Sequence, residues 1–174
     1  MRTRLTWVNS AGGPLVLLEE HLLPEWRGHD GSTAQEHEGR TDYERACDVD
    51  DYLGLVEVGS GRALVLGDEP MQTTWCPSPE GSGVVLLRWQ WADSEAAVID
   101  AAGDMPEESW ESTGLIFQTS GRDLVLFDSA YPGDEPGERL TIQLARGQYG
   151  IDTAHYRPDA ETSLVLHRLV GAGS

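Results

Sequence analysis

The chain has 174 residues, 39% of them apolar, which is enough for one globular domain with a sizeable core and too apolar for a disordered segment. Thirty acidic residues face twelve basic ones, a formal net charge of −18, and every basic residue is Arg. Such a field repels nucleic acid and anionic membranes and attracts basic partners; the lack of Lys excludes Schiff-base chemistry and a Walker-type phosphate loop.

Short apolar runs separated by Gly and Pro predict strands at roughly 14–18, 53–58, 62–67, 84–91, 114–118, 122–128, 139–144, 148–156 and 162–169. Near the N-terminus the longest uninterrupted apolar run is Leu15 to Leu18, too short for a signal-peptide core, and no stretch reaches the length of a membrane span. The expectation is a cytoplasmic protein. The polar, Gly-rich stretch 27–41 reads as a loop, in which His29 and His37 are solvated. Thr41-Asp-Tyr-Glu44 matches a capping box and opens a short helix running to about Tyr52. Cys47 and Cys76 lack metal-ligand spacing and read as buried thiols. In 84–91 the alternation puts Val85, Leu87, Trp89 and Trp91 on one face against Arg88 and Gln90. Ser94 to Ala102 predicts a second helix ended by Gly103, and Pro106-Glu107-Glu108 suits the first turn of another. Leu140, Ile142 and Leu144 share one face of a strand.

One pattern recurs. Ser-Gly-Arg-x-Leu-Val-Leu-x-Asp occurs at 60–68 and again at 120–128, with a looser copy, SAGGPLVLLE, at 10–19. In both strict copies a strand (53–58 or 113–118) runs into a Gly turn and then into Leu-Val-Leu, which is the pattern of a hairpin. The predicted fold is therefore mainly β, with α+β as the alternative. Two similar antiparallel units of about sixty residues pack as one sandwich-like domain, with two or three short helices. Residues 1–174 form a single domain, with an N-terminal strand and loop at 1–52 and an internal duplication over approximately 53–102 and 113–169.

Chemistry is hard to find. His21, His29, His37, His155 and His167 include no HExxH motif or zinc spacing, and no GxSxG elbow occurs. His155 and His167 lie in strand patterns and read as structural. Asp68 and Asp128 end the repeated strands at equivalent positions. They suit either a pair of hydrolytic carboxylates, alone or with a metal between them, or two turn caps. The acidic distribution says more. Between Ala92 and Thr113 stand Asp93, Glu95, Asp100, Asp104, Glu107, Glu108 and Glu111, with no basic residue. Asp48, Asp50 and Asp51 form a second cluster, and Asp134, Glu135 and Glu138 a third. A one-signed run of this length builds a steering field whose complement is a basic protein surface, such as the groove of a nuclease.

The ordered motifs Gly12-Gly13-Pro14-Leu15, Trp26-Arg27-Gly28 and Asp42-Tyr43-x-x-Ala46-Cys47, after Trp7, resemble the immunity protein 21 family of bacterial polymorphic-toxin systems. The likeness continues through Leu64-Val65-Leu66-Gly67-Asp68-Glu69-Pro70, Arg88-Trp89, Leu126-Phe127-Asp128-Ser129-Ala130 and Gly147-x-Tyr149. The resemblance implies a small cytoplasmic protein that binds and blocks a toxin domain encoded beside it, with no enzyme activity and no cofactor. Neither the toxin nor the oligomeric state follows from it, and Trp26, Trp75 and Trp89 read as core. Joined to the charge, it makes Asp48, Asp50, Asp51, Asp93, Glu95, Asp104, Glu107, Glu108 and Glu111 the candidate partner-binding residues. Two alternatives stay open: a hydrolase using Asp68 and Asp128, and a β module binding a small ligand among its Trp residues.

Overall fold

Residues 4–32, 39–67, 69–81 and 83–172 are described by the structure, a computed structural model. The protein is mainly β, as predicted, and its strands form two five-stranded antiparallel sheets. In chain order the strands are β1 (Leu15–Glu19), β2 (Leu53–Val58), β3 (Gly61–Leu66), β4 (Gln72–Pro77), β5 (Gly83–Trp91), β6 (Glu111–Thr119), β7 (Leu124–Asp128), β8 (Arg139–Ile142), β9 (Gly147–Tyr156) and β10 (Ser163–Gly171). One sheet has the order β2-β3-β1-β7-β8, the other β4-β5-β10-β9-β6. The chain divides into two compact units that interleave along the sequence and do not follow the halves 53–102 and 113–169. One unit comprises Val8–Pro70 and Phe117–Gly147; the other comprises Met1–Trp7, Met71–Ile116 and Gln148–Ser174. No helix among the described residues is long and apolar enough to cross a membrane.

In the first unit the repeated motif finds its physical meaning. The three Leu-Val-Leu copies are β3, β1 and β7, side by side at the centre of one sheet. Val16 of β1 lies opposite Val65 and Phe127, and Leu17 opposite Leu64 and Leu126. Val16, Leu18, Ala63, Val65, Val125 and Phe127 point to one face, where they cluster with Leu22, Trp26 and Ala46. The alternate residues Leu15, Leu17, Leu64, Leu66, Leu124 and Leu126 are buried as well. A strand buried on both faces must read as a continuous apolar run. The repeat thus records one environment occupied three times.

The hairpin reading holds for the first copy alone. Strands β2 and β3 pair from Leu53↔Leu66 to Val58↔Gly61 across a two-residue loop, with Gly59 at φ 53 in the first loop position, where a positive φ excludes most side chains. The strand before the second copy, β6, instead lies at the edge of the other sheet beside β9, so β6 and β7 are not partners. After its turn β7 pairs with β1 and β8.

In the second unit β4 was not among the predicted strands, because Gln72-Thr-Thr-Trp-Cys-Pro carries too little apolar signal. It pairs with β5 (Thr74↔Leu87, Trp75↔Leu86) as an edge strand ending in Pro77, a position that needs no ladder donor. Helix α2 (Glu95–Asp104) begins at Ser94, whose side chain accepts from the Ala97 N–H at 3.2 Å. It buries Val98 and Ala101 against Val85, Leu87, Leu164 and Leu166, and burying a side chain such as Val98 contributes about 2 kcal/mol. Gly103, expected just beyond the helix, lies inside it, and Met105 is the C-cap. Pro106 precedes a single 3-10 turn, Glu107–Ser109. Back in the first unit, α1 (Asp42–Cys47) carries the predicted capping box in full, Thr41 Oγ1 accepting from Glu44 N–H and Glu44 Oε2 from Thr41 N–H.

Candidate functional site

The candidate partner-binding carboxylates fall in two places. Asp48, Asp50 and Asp51 follow α1 in the first unit, all exposed, with Asp48 paired to Arg40. Asp50 and Asp51 border a polar cleft of about 330 Å³ that also holds Tyr43 and Cys47. Cys47 is exposed, contrary to the reading of a buried thiol, because it sits on the outer face of a helix only six residues long. The other six carboxylates stand on one segment of the second unit, along α2, the 3-10 turn and the start of β6. Asp93, Asp104, Glu107, Glu108 and Glu111 are exposed there. Glu95 is half-buried and accepts the Trp7 indole N–H at 2.6 Å. Glu107 accepts from Arg168 at 2.6 Å, and Asp152 takes the Arg168 Nε–H at 2.8 Å, while the guanidinium lies 4.6 Å over the Trp110 ring. These two carboxylate bonds hold the Arg168 pKa above its ordinary value, although burial opposes them.

Beside this segment the second unit opens an apolar cleft of about 570 Å³. Val85, Leu87 and Leu166 form its floor from β5 and β10, and Cys76 lines it from β4. Ile99, Ala102 and Met105 wall it from α2 and its C-cap, and Trp110 and Arg168 close one end. Cys76, Ile99, Met105 and Trp110 are all half-buried, so apolar surface here meets solvent. Burial raises the Cys76 thiol pKa, making it a weak nucleophile. Sequence reasoning did not single out this cleft. Its walls come from β4, β5, α2 and β10, and no local pattern in the chain announces their convergence.

The motif residues converge elsewhere, in a hydrogen-bonded node of the first unit. Trp26, fully buried, donates its indole N–H to Ser129 O at 3.0 Å, and the Ser129 hydroxyl donates to Pro14 O at 2.6 Å. Asp42, also fully buried, accepts from Arg27 N–H at 2.9 Å and from Arg45 at 2.8 Å. Gly28 sits at φ 58, and a Cβ there would lie 2.5 Å from Ala130 O, so only glycine fits. Asp128 Oδ2 accepts from Ala11 N–H at 2.8 Å and Oδ1 from Ala130 N–H at 3.0 Å, which makes this carboxylate a cap for two loops. Asp68 and His37 lie outside the described residues.

Three further buried ionisable groups matter to the fold. Glu19 Oε1 accepts from Thr119 Oγ1, Ser120 N and Ser120 Oγ within 2.7 Å, tying the end of β1 to the turn of the second repeat copy. Burial alone would raise its pKa, but these bonds outweigh it and lower the value. Arg88, expected on a polar face, is buried, and its guanidinium faces His167 Nε2 at 3.5 Å. The Thr153 hydroxyl stands 2.9 Å from His167 Nδ1. A guanidinium can only donate, so Nε2 must keep its lone pair and the ring stays neutral with its proton on Nδ1. Burial first, then the Arg88 and His155 charges, hold the His167 pKa well below its ordinary value. Trp89 packs with Trp7 edge-on at 5.5 Å, and Trp91, beyond a register shift in the β5–β10 pairing, is 39% exposed.

No curated protein and no solved structure matches the chain. The family model described as immunity protein 21 matches residues 6–162, which takes in the Trp26–Ser129 node, the carboxylate segment of α2 and all but the last strand, and the chain belongs to that family.

Proposed function

We propose that this protein binds a cognate bacterial toxin domain with a basic surface, a nuclease being the expected kind, and neutralises it by stoichiometric occlusion in the cytoplasm. Family membership carries the reading: it implies an immunity protein against a toxin. The charge of −18 and the exposed carboxylates Asp93, Asp104, Glu107, Glu108 and Glu111 on one segment support an acidic docking surface that speeds association. Asp48, Asp50 and Asp51 supply a second acidic surface. Glu95 and Glu107 already hold Trp7 and Arg168, so the steering charge falls mainly to Asp93, Asp104, Glu108 and Glu111. The turn-capping bonds of Asp128 argue against the hydrolase alternative. The test is co-expression with the toxin domain encoded by the neighbouring gene. The reading requires protection of the cell and a complex that survives moderate salt; absence of both refutes it.

A further inference from the structure

We infer that the apolar cleft beside α2 is the energetic centre of the toxin contact, receiving one or two large apolar side chains from a toxin segment that carries Arg or Lys next to them. The inference rests on the proposed function and gives it a binding site. Soluble proteins seldom leave a concave apolar surface half-open without a partner, and the desolvated centre of a protein interface is an apolar pocket inside a polar rim. This cleft has that anatomy. Its floor is Val85, Leu87 and Leu166, its walls include Ile99 and Met105, and at about 570 Å³ it is large enough for bulky side chains. Methionine at such a site adapts its shape to whatever enters.

Charge names the occupant. Glu80 and Glu107 stand in the cleft lining, with Asp104 and Glu108 exposed next to it in the chain. The basic group in the lining, Arg168, gives one donor to Glu107 and another to Asp152 and lays its face on Trp110. An anionic small molecule would meet a guanidinium already engaged by two carboxylates, whereas a cationic residue flanking an apolar anchor meets an acidic rim. Fast association then comes from the rim carboxylates and slow dissociation from the buried anchor.

The experiment uses the full chain and the toxin domain encoded by the neighbouring gene. Ile99→Glu and Met105→Glu, each checked for a wild-type far-ultraviolet spectrum and thermal transition, are expected to weaken binding about 30-fold or more, nearly all in the dissociation rate. A second readout needs no change in the cleft walls. In the Cys47→Ser protein, Cys76 is the remaining thiol, and its reaction with a small methanethiosulfonate at pH 8 should slow at least tenfold in the complex. If the toxin binds the wild type, while both Glu variants bind as tightly and Cys76 reacts at its free rate in the complex, the cleft inference is overturned and the immunity function stands. If the wild type forms no complex, both fall. If the uncharged apolar probe N-phenyl-1-naphthylamine protects Cys76 and the toxin does not, the cleft is a small-ligand site and the inference is overturned.

Discussion

His167 offers a perturbation whose magnitude follows from the structure. In the fold its ring is neutral, held by a burial that disfavours charge and by Arg88, which cannot accept a proton bond from Nε2. In the unfolded chain the same ring has the ordinary pKa of about 6.5. Between the depressed folded value and 6.5 the unfolded state binds the extra proton, so stability is unaffected above neutrality and falls as the pH drops below 6.5. At pH 5.5 the unfolded ring is protonated about ten to one, which costs the fold on the order of 1 kcal/mol relative to pH 7.5. In a chain of this size a loss of that order lowers Tm by about 2–4 °C. In His167→Gln the side-chain oxygen can still accept from Arg88 but has no proton to gain in this range. Urea unfolding of both proteins at pH 7.5 and 5.5 cancels every titration they share, and the wild type should lose on the order of 1 kcal/mol more than the variant. Equal losses would mean that the fold does not hold His167 neutral.

Other consequences follow from the same geometry. Glu19→Ala leaves the Thr119 and Ser120 donors without their carboxylate and should cost about 2–3 kcal/mol in urea unfolding at pH 7. Because its folded pKa is lowered, the Glu19 contribution is full above about pH 4.5 and fades as the pH falls through the folded value; the gap between wild type and a Glu19→Gln variant should therefore narrow in acid. Trp26→Ala should cost about 3–5 kcal/mol by opening the first-unit core, whereas Trp26→Phe, which loses the bond to Ser129 O and part of the packing, should cost clearly less. The combined change Asp104→Asn, Glu108→Gln and Glu111→Gln should slow toxin association about tenfold at low salt and flatten its salt dependence, as stopped-flow mixing would record. Unchanged on-rates would remove this segment as the steering surface.

Local signals in the sequence carried far into the structure. Thr41 and Glu44 form the capping box their spacing predicts, and Ser94 caps α2. The Leu-Val-Leu runs are strands, as their composition demands. What local pattern could not supply is which strand pairs with which. Ser120-Gly121 looks like the hairpin turn at Ser60-Gly61, yet β6 lies in the other sheet, because pairing is decided by distant strands such as β1 and β9. Strand β4 escaped notice since its buried positions are Thr73 and Thr74, hydroxyl-bearing residues that satisfy themselves on Met71 O and Thr6 O. Arg88 broke the alternation rule because its partner is His167, almost eighty residues away on β10. The acidic run at 93–111 was plain from the sequence; the apolar cleft beside it was not, because its residues meet only after β4, β5 and β10 have assembled.

The most direct test of the account is a titration of the toxin domain's own activity with this protein, at toxin concentrations well above Kd. Stoichiometric occlusion predicts a linear loss that reaches zero at one equivalent, with a matching 1:1 complex by size-exclusion chromatography and light scattering. Activity that survives excess protein, or that a small fraction of an equivalent abolishes with time as a catalyst would, contradicts it.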